Sequence, residues 1–150
     1  MSSKPGEKNI DFFTQDTEMP SVPPEKVTEW LNGVAQSEEG RIDNLNVVFC
    51  SDEFLHDMNV KHLNHDSLTD IITFPFSEFP DISGEMYISL NRVEENAETF
   101  GVSAEEELMR VIVHGLLHLM GYDDKAESDQ EKMREREDHY LILWKEQYKN

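Results

Sequence analysis

The run Leu108-Met109-Arg110-Val111-Ile112-Val113-His114-Gly115-Leu116-Leu117-His118-Leu119-Met120 constrains this chain more than any other segment. Beyond Arg110 it carries no charged residue on any side, and a helix without a polar face has to run through a core with other elements packed around it. Ser103 followed by Glu106 forms a capping box at its start, and Gly121 can take the left-handed conformation that ends it. At 150 residues the chain is about one domain long, so a single domain over residues 1–150 is expected around this helix.

Flanking patterns supply the other layers. Asn9 to Gln15, with Ile10, Phe12 and Phe13, reads as a strand, after a polar stretch over residues 1–8 expected to fray. Pro23 and Pro24 open a helix whose Val27, Trp30, Leu31 and Val34 fall on one face, with Gly40 as its stop. Leu45 to Cys50 is a second strand, and Ser51 or Asp52 caps a short helix with Phe54, Leu55 and Met58. Asp70 to Phe76 is β-branched and aromatic, with Pro75 marking an edge or a strand end, and Met86 to Ser89 is a fourth strand. Asn91 is expected to cap a helix bearing Val93, Ala97 and Phe100, and Ser128 with Glu131 to open a C-terminal helix with Met133, Tyr140, Leu141, Trp144 and Tyr148. The order βαβαββααα predicts an α+β fold: a small mixed four-stranded sheet packed against helices, with a buried central helix.

Charge and cysteine content narrow the function. Thirteen Lys and Arg against 32 Asp and Glu leave a net charge of −19, which repels nucleic acid and anionic membrane over most of the surface. A polyanionic ligand therefore needs a local exception. The single cysteine, Cys50, cannot form an internal disulfide or a cysteine-based zinc site, and reads as a buried strand residue. There is no basic start followed by an apolar stretch, and no run of the roughly 18 to 20 apolar residues that spans a membrane, so a cytoplasmic protein without a membrane partner is expected.

The buried helix also holds the chemistry. At about 100° per residue, a spacing of four places His114 and His118 about 40° apart on one face, so both imidazoles can reach one point. Gly121 turns the chain back and Asp124 follows, giving His114-x3-His118-x2-Gly121-x2-Asp124. Two ligands from a rigid helix and one from the returning loop leave a fourth position open, as in catalytic zinc sites, which points to one Zn²⁺ ion. Either histidine alone is equally accounted for by a core imidazole bonded to one carbonyl or carboxylate, and Asp124 by a solvated position past a helix end. Gly115 stands where a metalloprotease carries its glutamate base, which disfavours a zinc peptidase; the glycine reads instead as room for another backbone.

The string His114-Gly115-Leu116-Leu117-His118-Leu119-Met120-Gly121-Tyr122-Asp123-Asp124 resembles the signature of the YbeY family of metal-dependent endoribonucleases. Upstream, Met58-Asn59, Asp66, Thr69-Asp70-Ile71-Ile72-Thr73-Phe74-Pro75 and Gly84-Glu85-Met86-Tyr87-Ile88-Ser89 are similar to that family's segments in the same order, and the likeness spans about residues 45–145. The resemblance implies an α+β fold, a zinc ion held by His114, His118 and Asp124, cleavage of single-stranded RNA, and work in ribosomal RNA maturation and ribosome quality control. Three positions depart from the family pattern. Asp124 replaces a third histidine, a substitution that keeps an ordinary zinc ligand but makes the filled site one unit less positive, with an alkaline shift of activity expected. Leu63 replaces an arginine, leaving His62 and His65 beside it, with Thr73, as the positions expected to meet substrate phosphate, the histidines when protonated; either histidine is equally accounted for as an ordinary surface residue. Glu85 replaces an aspartate and is expected to support the metal or handle protons alongside His114 and His118.

Two routes of cleavage stay open: attack by a metal-acidified water, or by the ribose 2′-hydroxyl with the metal as Lewis acid. Cations that could form a local RNA strip are sparse: Lys61, Arg92, Arg110, Lys125, Lys132, Arg134 and Arg136, the last three interleaved with acids. Weak, salt-sensitive binding to free RNA and recruitment by the ribosome or a ribosomal protein are expected, with no role for DNA. The rival reading is a noncatalytic, ribosome-associated protein in which the metal only locks the helix to its loop.

Overall fold

The computed structural model describes residues 9–63 and 69–148, without the side chains of residues 62 and 63. The expectation for residues 1–8 falls outside this range. The elements are β1 (Ile10–Gln15), α1 (Pro24–Ser37), β2 (Arg41–Cys50), α2 (Asp52–Leu63), β3 (Ile71–Pro75), β4 (Asp81–Ser89), α3 (Leu90–Phe100), α4 (Ala104–Leu119) and α5 (Glu127–Leu143), which runs on into one π-helical turn at Trp144–Tyr148. This is the expected α+β order. The sheet runs β1-β2-β4-β3, with β1, β2 and β4 parallel and β3 antiparallel on one edge. Pro75 sits on that edge strand, where its missing N–H costs no ladder bond.

Strand alternation sorts the two sheet faces. Register pairs Leu45 with Gly84, Val47 with Met86 and Phe49 with Ile88, and all of these are buried in the main core beneath α1 and α4. On the opposite face Cys50 and Ile72 meet Leu55 of α2, flanked by Phe54, Met58, Phe74 and Tyr87. Burial, and then the charge of Asp52, pushes the Cys50 thiol up to about 12, so it is an inert core group. Helix α4 lies between the sheet and helices α3 and α5 with Met109, Ile112, Val113, Leu116 and Leu117 wholly buried. Burial of side chains this large contributes about 1.5–3 kcal/mol each, which is why this segment organises the domain.

Several local expectations are corrected. Asn91 does not cap α3: β4 passes straight into that helix, so the last strand residue, Ser89, accepts the Arg92 N–H at 3.1 Å. Asn91 Oδ1 instead accepts the Asp52 N–H at 2.9 Å, joining Ser51 Oγ, which accepts the Phe54 N–H at 3.1 Å, at the start of α2. Helix α5 begins one residue before Ser128, with Ala126 as its uncapped boundary and Glu127 and Asp129 favouring the helix dipole. At α4 Ser103 Oγ accepts the Glu106 N–H at 3.0 Å, while the Glu106 carboxylate accepts from Lys145 Nζ at 2.7 Å. Gly40 is not the stop of α1; Glu39 makes the turn with φ of 65°, and Gly40 is needed because a methyl group there would stand 2.9 Å from the Phe79 ring. Phe100 is exposed. Strands β2 and β4 start earlier than their apolar runs: their polar ends pair in register, with Arg41 reaching Asp81 across the strands at 2.9 Å and Asp43 on its own strand at 3.1 Å.

Gly115 faces side chains, not backbone: a methyl group there would lie 2.7 Å from Ile71 Cδ1 and 3.1 Å from Met86 Sδ. The close backbone approach is at Gly84, where a methyl group would stand 2.5 Å from the Phe74 carbonyl oxygen.

Candidate metal centre

The C-terminal end of α4 builds the site. Gly121, at φ of 105°, turns the chain so that its N–H donates to the His118 carbonyl and the Tyr122 N–H to the Leu117 carbonyl, both at 3.0 Å, the paired bonds of a Schellman ending. This turn points the Tyr122 carbonyl back at the helix, where it accepts from His118 Nδ1 at 2.9 Å. It also brings Asp124 over the two imidazoles, with the Asp124 N–H tied to Asp123 Oδ1 at 2.8 Å. One potential ligand atom from each of His114, His118 and Asp124 lies within 4.8 Å of the others, and all three residues are half-buried.

The far side of His114 is held from α5. Its Nδ1 contacts Glu137 Oε2 at 2.6 Å, and Arg110 donates to Glu137 Oε1 at 2.9 Å and to Asp138 Oδ1 at 2.7 Å. Burial alone would lower the pKa of His114, but the Glu137 bond and charge, with Asp124 and Asp70, outweigh it and hold the imidazole above its ordinary value. Asp70, at the approach to β3, is pushed up chiefly by burial, as is Glu107 on α4.

These partners decide what the site can bind. A carbonyl and an Arg-paired carboxylate only accept, so Nδ1 of each histidine donates and each neutral Nε2 presents a lone pair. Both Nε2 atoms face the same Asp124 Oδ2, at 3.4 Å from His114 and 3.1 Å from His118. With both imidazoles neutral, three electron-pair donors converge on one point, a set that either a proton on an imidazole or a divalent cation can satisfy, and its nitrogen and oxygen donors are of the kind zinc accepts.

The other predicted positions separate. Thr73 pairs with Met86 on β3 and shares the α4 side of the sheet with Ile71, the side chain against Gly115. Glu85 does not join the cluster: with Gly84 and Met86 packed toward α4, strand alternation turns it to the α2 face, where Tyr87 donates to its Oε1 at 3.1 Å. His62 lies in the last turn of α2 with its side chain outside the described residues, and His65 lies outside them entirely. Glu137 is the supporting group that sequence reasoning missed. Its signal was an acid on the otherwise apolar stripe Met133, Tyr140, Leu141 and Trp144.

Most of the expected RNA-facing cations are already paired. Lys61 meets Asp57 at 3.0 Å, Arg92 meets Asp52 at 3.5 Å and also Glu95, and Arg136 lies 3.9 Å from Glu38, while Lys125, Lys132 and Arg134 are exposed.

A family model described as endoribonuclease YbeY matches residues 9–145. The chain belongs to the YbeY family. The match runs from the residue before β1 into the last turn, so it takes in the sheet, the His-His-Asp cluster and Glu137. An endoribonuclease YbeY of Flavobacterium johnsoniae is 46% identical over 132 residues, covering 88% of this chain and 95% of the relative. One of Amoebophilus asiaticus is 44% identical over 135 residues, covering 89% and 92%. A solution structure from Thermotoga maritima superposes with a TM-score of 0.68 at 32% identity, covering 91% of this chain and 90% of the other. Among the described residues, no helix of this YbeY-family chain is long and apolar enough to cross a membrane.

Proposed function

We propose that this chain is a zinc-dependent endoribonuclease of single-stranded RNA, acting in the cytoplasm in ribosomal RNA maturation and ribosome quality control. The observation that carries the metal is the convergence of His114 Nε2, His118 Nε2 and one Asp124 oxygen, with both Nδ1 atoms already committed to acceptors. Family membership carries the RNA. His114, His118 and Asp124 would hold one Zn²⁺, which supplies Lewis-acid stabilisation for a scissile phosphate when bound.

The chain's own residues do the rest. Glu137 and the Tyr122 carbonyl fix the two imidazoles in the tautomer that leaves Nε2 available. Arg110 neutralises Glu137, so the acceptor behind His114 is not an isolated buried charge. Thr73, on the α4 side of the edge strand, and His62 and His65 are the positions assigned to substrate. With Lys61, Arg92, Arg110 and Arg136 engaged by acids on a chain of net charge −19, little positive surface is left to hold naked RNA, which supports delivery by the ribosome or a ribosomal protein.

Metal analysis together with an RNA-cleavage assay on the native protein and His118→Ala tests this. Expected are one zinc per native chain and cleavage that disappears in the variant while its circular dichroism stays native. The same net charge of −19 favours a second reading, a noncatalytic ribosome-associated protein with a structural metal. Unfolding on metal removal, with no cleavage by the native protein under any condition, would establish that alternative.

A further inference from the structure

Outside the cluster, Glu38 at the end of α1 gathers several polar partners. Its side chain is only 13% exposed. Oε1 accepts the Tyr122 hydroxyl at 2.7 Å, Oε2 accepts the Tyr140 hydroxyl, and Arg136 Nη1 lies 3.9 Å from Oε2. Tyr122 is the residue whose carbonyl receives His118 Nδ1. The loop from Gly121 to Asp124 is thus held at both ends of one side chain: at the backbone by His118 and Leu117, and at the ring tip by a carboxylate from the first helix.

We propose that Glu38 is a positioning residue for His118, acting through Tyr122. By fixing the Tyr122 ring it fixes the direction of the Tyr122 carbonyl. That carbonyl holds the proton of His118 on Nδ1 and leaves Nε2 facing Asp124. Tyr140 uses the other oxygen of the same carboxylate but belongs to α5 and touches neither His118 nor the loop through its hydroxyl. The two tyrosines therefore separate positioning from general anchoring. The purpose of this arrangement rests on the metal reading above, whereas the proton's place on His118 can be read without any metal.

The test uses the full chain in four forms: native, Glu38→Gln, Tyr122→Phe and Tyr140→Phe. Two-bond ¹H–¹⁵N spectra of the metal-free proteins at alkaline pH show which nitrogen of His118 carries the proton, and competition with a chelator gives the affinity for Co²⁺. Native His118 is expected to be the Nδ1–H form. Glu38→Gln and Tyr122→Phe are expected to move population toward Nε2–H and to weaken Co²⁺ binding by about 10-fold, the low end of the roughly 10–100-fold range for groups behind a ligand. Their double variant should be no worse than the worse single, since both break one linkage. Tyr140→Phe should lower the melting temperature and leave tautomer and affinity as in the native protein. A native-like His118 in Tyr122→Phe, or an equal change in Tyr140→Phe, overturns the proposal. A native protein that binds no Co²⁺ would sink the metal reading instead, and the tautomer shift would still decide the role of Glu38.

Discussion

Replacing Glu137 with glutamine probes the ion pair behind His114 without changing its shape. The carboxylate is 7% exposed and receives two donors, Arg110 Nη1 at 2.9 Å and His114 Nδ1 at 2.6 Å. An amide can accept only one of them and points a donor at the other, so one charge-assisted bond is lost and one N–H is left facing an N–H. Breaking a fully buried pair costs about 3–5 kcal/mol. Here Arg110 keeps Asp138 at 2.7 Å and is itself partly solvated, so the value for a single hydrogen bond to a charged group, about 1.5–3 kcal/mol, is the better guide. At roughly 2–4 °C per kcal/mol for a domain of this size, the metal-free variant should melt about 3–12 °C lower. The loss should depend on pH. Because His114 is held above its ordinary value of 6.5 in the folded state, its charged form stabilises the native protein fully below pH 6.5, and that contribution disappears as pH rises through the folded value. The gap between native and Glu137→Gln should therefore be widest in mildly acidic buffer and narrow on the alkaline side. Melting curves across that range check it. A gap under about 1 °C at pH 6, or one that widens as pH rises, would refute the assignment of Glu137 as the acceptor behind His114.

Gly84→Ala should cost about 1–3 kcal/mol, seen as a lowered denaturant midpoint with an unchanged m-value, because the atom in the way is the Phe74 carbonyl oxygen, a part of the β3 backbone that cannot rotate aside. Ser103→Ala should cost about 1 kcal/mol by removing the acceptor for the Glu106 N–H, whereas Ser128→Ala, inside the first turn of α5, should stay within about 0.5 kcal/mol; paired denaturation curves distinguish them.

Elements whose boundaries are set by side-chain periodicity were readable in the chain, and those set by partners were not. The stripe Val27, Trp30, Leu31 and Val34 marks the buried face of α1 because a helix repeats its own neighbours every three or four residues. The first halves of β2 and β4 carry Arg41, Asp43 and Asp81, and nothing local makes such residues extended; they are strands because each supplies the other's hydrogen bonds and ion pairs. Caps fail for the same reason. Asn91 looks like the start of α3, yet the chain folds so that α2 reaches it first, and an acceptor serves whichever N–H tertiary structure presents.

The site divides along the same line. His114 and His118 share one helix face and Asp124 follows within a single turn, so their meeting is fixed by local geometry and shows in the spacing. Glu85 had only its place in the motif to suggest a supporting role, and a strand alternates with period two, so with Gly84 and Met86 on the α4 side it lies on the other face. The groups that hold the ligands come from farther along the chain: Glu137 from α5 and Glu38 from α1. No periodic rule connects them to α4. What does betray them is an incompatibility. An acid such as Glu137, embedded in the stripe between Met133 and Tyr140, cannot be buried at bearable cost unless donors meet it. On a protein with 32 acidic residues, the informative ones are therefore the few placed where a hydrophobic residue belongs, because each implies a cationic or N–H partner that the fold must bring to it.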